Sequence, residues 1–86
     1  MPKSTFRWKV YILECKNGLL YTGSTTDLKR RFKEHQKGSA RFTKANPPVR
    51  IIHSEKFKNR SSAQKREAAI KRLPKKKKLQ LANGDL

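Results

Sequence analysis

The chain has 86 residues, enough for one small domain with a thin core and too few for a multidomain enzyme. Hydrophobic residues make up only 34% of it, yet they gather in aromatic and β-branched blocks, which argues for a folded chain over a disordered one. Lys and Arg number 23 against 6 Asp and Glu, a formal charge of +17, so the chain repels itself unless a polyanion is near, and nucleic acid is the obvious one.

A single cysteine, Cys15, excludes an intramolecular disulfide, and no Cys/His group has the spacing of a zinc site. A reducing, cytoplasmic location beside the nucleoid is expected. Residues 1–9 hold no apolar leader, and the run Val10 to Leu13 falls far short of the ~20 residues of a membrane span, so neither export nor membrane binding is expected.

Arg7 to Lys16, RWKVYILECK, is rich in residues that suit a pleated surface, and the pattern resumes at Leu19 to Ser24. Asn17-Gly18 between the two runs is a strong hairpin signal. A helix follows, capped by Asp27 and stopped by Gly38, with Leu28 and Phe32 marking its buried stripe. Gly38 to Pro48 reads as an exposed loop, and Val49 to Phe57 as a third strand. Ser61 opens a second helix in a capping box with Gln64, its apolar contacts being Ala63, Ile70 and Leu73, and Pro74 ends it. Lys75 to Leu81 forms one more short helix, and Asn83 to Leu86 are expected to fray. The expected fold class is α+β: a small three-stranded antiparallel sheet flanked by helices, in the order ββαβα plus a basic C-terminal helix. One domain spans 1–86, with its core at about 7–73 and a basic tail at 75–86.

Val10-Tyr11-Ile12, followed ten residues after Tyr11 by Tyr21-Thr22-Gly23, resembles the paired signature of the GIY-YIG nuclease superfamily. Arg31 and His35, ten and fourteen residues beyond Tyr21, match that family's offsets, and Glu67 stands after the third strand, where the family has its metal ligand. The resemblance runs from Val10 to about Leu73 and is strongest to the small single-domain bacterial members. It implies an endonuclease that hydrolyses DNA phosphodiester bonds, structure-specific and linked to repair or recombination. Tyr11 would take a proton from water with Tyr21 and His35 assisting, Arg31 would grip the phosphate, and Glu67 would hold one Mg²⁺ or Mn²⁺. Because a phenol has a reference pKa of about 10, Arg31 and the metal are expected to lower that of Tyr11. A late asparagine found in some relatives has only Asn83 as a counterpart.

The residues also admit plainer readings. Arg31 shares one helical face with Leu28 and His35, but could instead pair with Asp27 across one turn. Glu67 lies on the apolar face of the second helix, but could pair with Lys71 at i,i+4. His35 could be a partly exposed residue near a helix C-terminus, protonated by preference. The tyrosines could be packing residues with bonded hydroxyls.

Arg30, Lys65 and Arg66, with Arg41, Phe42 and Lys44 in the loop, are assigned to nucleic-acid contact, since an aromatic among cations suits unpaired bases. His53 is given no role. The expected partner is DNA, whether duplex, branched or single-stranded, with RNA a weaker prospect, and the chain acting as a monomer. A catalytically silent nucleic-acid binder of the same fold is the alternative, and a basic RNA-packing protein the third reading.

A two-residue turn at Asn17-Gly18 would place Tyr11 and Tyr21 on opposite faces of the sheet. A three-residue turn, Lys16-Asn17-Gly18 with Gly18 in the left-handed bulge position, pairs Tyr21 with Leu13 and Tyr11 with Gly23, all on one face. The bulged turn is therefore predicted.

Overall fold

A computed structural model describes residues 6–38 and 46–84. Six elements follow in chain order: β1 (Trp8–Cys15), β2 (Leu20–Thr25), α1 (Leu28–Gln36), β3 (Pro48–Phe57), α2 (Arg60–Lys71) and α3 (Lys75–Ala82). The strands form one antiparallel sheet in the order β2-β1-β3. This is the α+β architecture expected from the sequence.

The central place of β1 explains its composition. A strand covered on both faces reads as a continuous apolar run, and Val10, Tyr11, Ile12 and Leu13 are each at most 1% exposed. Alternation sends Val10 and Ile12 to one face, where they pack with Ala63 and Ile70 of α2. Trp8, Leu20, Ile52, Phe57 and Leu81 complete that core. Tyr11 and Leu13 point to the other face, toward α1.

The hairpin carries the bulged turn. Cys15 donates its N–H to the Leu19 carbonyl and Gly18 its own to Cys15, both at 2.8 Å, and Gly18 has φ +86°. The register is Leu13 opposite Tyr21 and Tyr11 opposite Gly23, so both tyrosines share a face.

Asp27 caps α1 by accepting the Arg30 N–H at 3.0 Å, and Gly38 at φ +79° ends it. One expectation for this helix changes. Its fully buried residue is His35, whereas Leu28 and Phe32 are only half-buried, because they face a groove beside β3.

The start of α2 also differs. Asn59, not Ser61, is the cap and accepts the Ser62 N–H at 2.8 Å. An asparagine reaches the third-residue donor as well as a serine does, and its place two residues earlier starts the helix two residues sooner. Pro48 begins β3 one residue before the expected start, an allowed place for a residue with no N–H. Asn83 and Gly84 donate their N–H groups to Leu79 and Leu81 and so close α3, whereas the rest of the segment expected to fray, Asp85 and Leu86, lies outside the described residues. Among the described residues no helix is long and apolar enough to cross a membrane.

Because only the backbone of Gly18 is unusual, and a Cβ there would lie 3.7 Å from Lys75 Nζ in ordinary contact, Gly18→Ala should cost about 1–2 kcal/mol. Thermal melts should fall by several degrees, with Gly18→Asn falling less because asparagine tolerates the left-handed region. Equal melting points for wild type and Gly18→Ala would contradict the role given to the bulge.

Candidate active site

The site is built on β1, β2 and α1. Register brings the rings of Tyr11 and Tyr21 to a centroid distance of 6.3 Å, and His35 from α1 meets Tyr21 edge-on at 4.8 Å. Tyr11 Oη lies 3.0 Å from His35 Nε2, in the interior. The Arg31 cation lies beside the Tyr11 hydroxyl and favours its ionised form. A guanidinium can only donate, so it favours the Tyr11 oxygen as an acceptor, and on that ground we assign the O–H to Nε2 of a neutral imidazole.

Charge and burial agree with that assignment. Removal from water and the nearby Arg31 cation push the His35 pKa below its ordinary 6.5. The residue is wholly buried, so the reading of His35 as a partly exposed, protonated terminal residue is overturned. Burial acts on Tyr11 as well. Its pKa is pushed up to about 12, chiefly by desolvation, and the Arg31 cation pulls the other way without prevailing. The expected lowering by Arg31 is therefore outweighed in this cluster, because a buried phenolate loses more hydration than one cation returns.

Arg31 does not pair with Asp27. Its Nη1 donates to Glu34 at 3.0 Å, one turn along α1, which holds the guanidinium beside the tyrosines.

Glu67 comes from α2, on the opposite face of the sheet, and meets β2 near its end at Ser24, which pairs with Val10 and shares that face. There its Oε1 accepts the Ser24 O–H at 2.6 Å, and its Oε2 pairs with Lys71 Nζ at 2.7 Å. The i,i+4 pair read from the sequence is thus present, together with a second bond that no local pattern announced. The carboxylate is close enough to Tyr11 to contribute to raising its pKa.

Among the described residues no three His, Cys, Asp or Glu side chains gather into a metal cage. One carboxylate with a neighbouring hydroxyl fits a hard, strongly hydrated cation such as Mg²⁺, which takes one or two protein oxygens and fills the rest with water and phosphate. The Lys71 side chain is half-exposed and can leave the carboxylate.

Two residues beside this cluster were given no role from the sequence. Gly23 leaves room for a ring, since a Cβ there would stand 2.6 Å from Tyr11 Oη and 2.9 Å from Cζ. Ser24 positions Glu67 across 43 residues of chain. The register that pairs Gly23 with Tyr11 carried a signal for the first, and nothing in the sequence links Ser24 to Glu67.

The cations assigned to nucleic acid fare differently. Arg30 and Lys65 are exposed. Arg66 is committed to Glu55, with Nε at 2.7 Å and Nη2 at 3.0 Å, so its guanidinium serves the fold. The same carboxylate pairs with His53 at 2.7 Å. Arg41, Phe42 and Lys44 lie outside the described residues. Asn83 caps α3 and has no contact with the cluster among its described bonds.

Comparison with known proteins adds a family. The GIY-YIG catalytic domain matches residues 7–80. A UPF0213 protein of Xanthomonas axonopodis pv. citri is 49% identical over 73 residues, covering 84% of this chain and 72% of that protein. A UPF0213 protein of Haloquadratum walsbyi is 49% identical over 74 residues, covering 85% and 83%. The solution structure of a protein from E. faecalis superposes with TM-score 0.61 at 39% identity, covering 98% of this chain and 90% of that one.

Gly23→Ala should force the Tyr11 ring off His35 and cost about 1–3 kcal/mol, the usual penalty of overpacking. Proton NMR of the imidazole should report the loss of the hydrogen bond, and an unchanged spectrum with an unchanged melting point would contradict the packing described.

Acid should also weaken the fold through His35. Its folded pKa lies below 6.5, so the unfolded chain takes the proton first; stability is full above pH 6.5 and declines as the pH falls toward the folded value. Between pH 6.5 and the onset of carboxylate titration the loss should reach at most about 1.4 kcal/mol per pH unit. His35→Gln should flatten that limb of the curve, and a wild type as flat as the variant would sink the assignment.

Proposed function

From the chain's membership of the GIY-YIG catalytic-domain family, we propose that it is a divalent-metal-dependent endonuclease acting on DNA. The observation that carries this reading is the buried Tyr11–His35 hydrogen bond with Arg31 on its outer side. A phenol joined to a neutral imidazole is a proton-accepting pair, and a guanidinium beside it is a grip for a phosphate.

Tyr11 is 1% exposed, and its high pKa makes it a poor base by itself. We assign the water-activating role to the pair. With Arg31 drawn onto the phosphate, the Tyr11 oxygen takes a water molecule in its place. That water gives a proton to the Tyr11 oxygen as the phenolic proton passes to His35 Nε2, and the hydroxide formed attacks phosphorus. Tyr21, half-exposed against the His35 ring, orients the water. Glu67, steadied by Ser24, would hold one Mg²⁺ or Mn²⁺. Such an ion supplies charge neutralisation at the phosphoryl oxygens and the departing 3′ oxygen. The large excess of Lys and Arg supports affinity for the backbone of any DNA, so selection by structure rather than by sequence is the favoured mode, compatible with a role in repair or recombination.

The second reading is a nucleic-acid binder that does not cut. It is favoured by the Glu67–Lys71 ion pair, which fills the candidate metal ligand with a cation.

Branched, nicked, single-stranded and duplex DNA with Mg²⁺ or Mn²⁺ should be cut on at least one substrate, and EDTA should stop the reaction. Tyr11→Phe, Arg31→Ala and Glu67→Ala should each lower the rate by roughly 10²–10³-fold. The rate should fall below the His35 pKa and stay level from pH 7 to 9. A tenfold rise per unit through that range would instead identify a free phenolate base. Cleavage indifferent to all three substitutions would mark a contaminant, and binding without cutting on every substrate would establish the silent module.

A further inference from the structure

On the sheet face that carries Tyr11, α1 and β3 flank an open groove of about 530 Å³. Its floor is Leu28, Phe32 and Ile51, and its rim is Lys9, Lys29 and Lys33, with the Gln36 amide at one end. No carboxylate is among the described residues that line it. Ile51 is 38% exposed there, and Leu28 and Phe32, the apolar stripe of α1, are only half-buried. The core that α2 covers lies on the opposite face of the sheet, so this is a separate apolar surface.

We propose that this groove receives an unpaired base of a nucleic-acid strand, stacked on Phe32, while Lys9, Lys29 and Lys33 hold the flanking phosphates. The proposal rests on the nucleic-acid reading above and deepens it: the preferred substrate is a strand with at least one base out of the duplex. Three arguments favour this occupant. An aromatic ring among cations, with no acid among the described lining residues, complements a base between phosphates and repels a second copy of a chain with net charge +17. The amide of Gln36 offers a donor and an acceptor to a base edge, which an acyl chain or aliphatic side chain would leave unused. Lys9 stands two residues, about 7 Å, along β1 from Tyr11 on the same face, so the bound base belongs to a nucleotide close to the phosphate held by Arg31. The composition is the one that the sequence suggested for Phe42, found here at Phe32 on a helix.

The test is binding in EDTA, where no cleavage is needed. The probes are a thymidine decamer and a decamer of the same length made of abasic sugars, which carry equal phosphate charge. The wild type should bind the thymidine strand about tenfold more tightly, corresponding to about 1.4 kcal/mol. Phe32→Leu keeps an apolar side chain but removes the stacking face. It should bring the ratio to within about twofold and leave abasic binding unchanged, and Phe32→Trp should restore the preference. Replacing both Lys29 and Lys33 with Gln should weaken both probes alike and reduce the salt slope by about 1.4, two single-strand phosphate contacts. Should Phe32→Leu fail to fold, NMR of the wild type decides the matter, since the thymidine strand and not the abasic one should shift the Leu28 and Ile51 methyl signals.

Equal affinity for the two decamers, or a base preference that survives Phe32→Leu, overturns the proposal. So does a dimer in solution that Phe32→Leu dissociates, or displacement of the thymidine strand from the groove methyls by phosphatidylglycerol vesicles. A chain that binds bases selectively but cuts nothing refutes only the nuclease reading. One that cuts but ignores bases refutes only the groove.

Discussion

The hydrogen bond from the Tyr11 hydroxyl to His35 depends on one additional residue in a turn. Gly18 in the left-handed region gives the hairpin three loop residues instead of two, and that parity puts Tyr11, Gly23 and Tyr21 on the face that α1 covers. A shift of one residue would send one of the tyrosines to the other face. The missing side chain at Gly23 then matters as much as the tyrosine opposite, because the Tyr11 ring occupies the space where a Cβ would be. With the hydroxyl bonded to His35 and facing the Arg31 cation, burial keeps the imidazole neutral and the phenol protonated.

The few carboxylates of the chain organise its many cations. Glu34 orients Arg31, Glu55 holds both Arg66 and His53, Glu14 pairs with Arg50 across the sheet, and Asp27 caps α1. Exposed pairs of this kind add little stability each. Their effect here is geometric, since each removes a named cation from solution and fixes it at a named place. Among the described residues Lys71 has such a partner in Glu67, and Lys9, Lys29 and Lys33 line an open groove with no carboxylate in its described lining. A polyanion lying across the Tyr11 face would meet a positive field from Lys9, Lys29 and Lys33 as well as from Arg31.

Glu67 ties α2 to the edge strand β2. It belongs to the helix that closes the apolar core, yet its carboxylate bonds to Ser24 near the end of β2 and acts electrostatically on Tyr11. A lone buried carboxylate would be costly, and the serine hydroxyl with the Lys71 amine offsets that cost in the folded chain. The same two partners leave it oriented, and the lysine, on a flexible stem, is the one that can be exchanged for another cation.

The elements, their order, the bulged turn and the family were legible in the sequence because each is written in local patterns: an apolar run for the central strand, a glycine at the turn, a cap before a helix, a pair of motifs at fixed spacing. Pairing between Tyr11 and Gly23 was legible as well, since register follows from turn length. The environments were not. Whether Leu28 and Phe32 or His35 would be the buried part of α1 depended on how far that helix stands from β3, and the capture of Arg66 by Glu55 depended on α2 lying over the third strand. The sequence alone determined which groups are present and which strand faces they occupy. Only the tertiary structure decided their protonation and their partners, because desolvation and hydrogen bonding arise from residues distant in the chain, and no spacing rule reaches across 43 positions from Ser24 to Glu67.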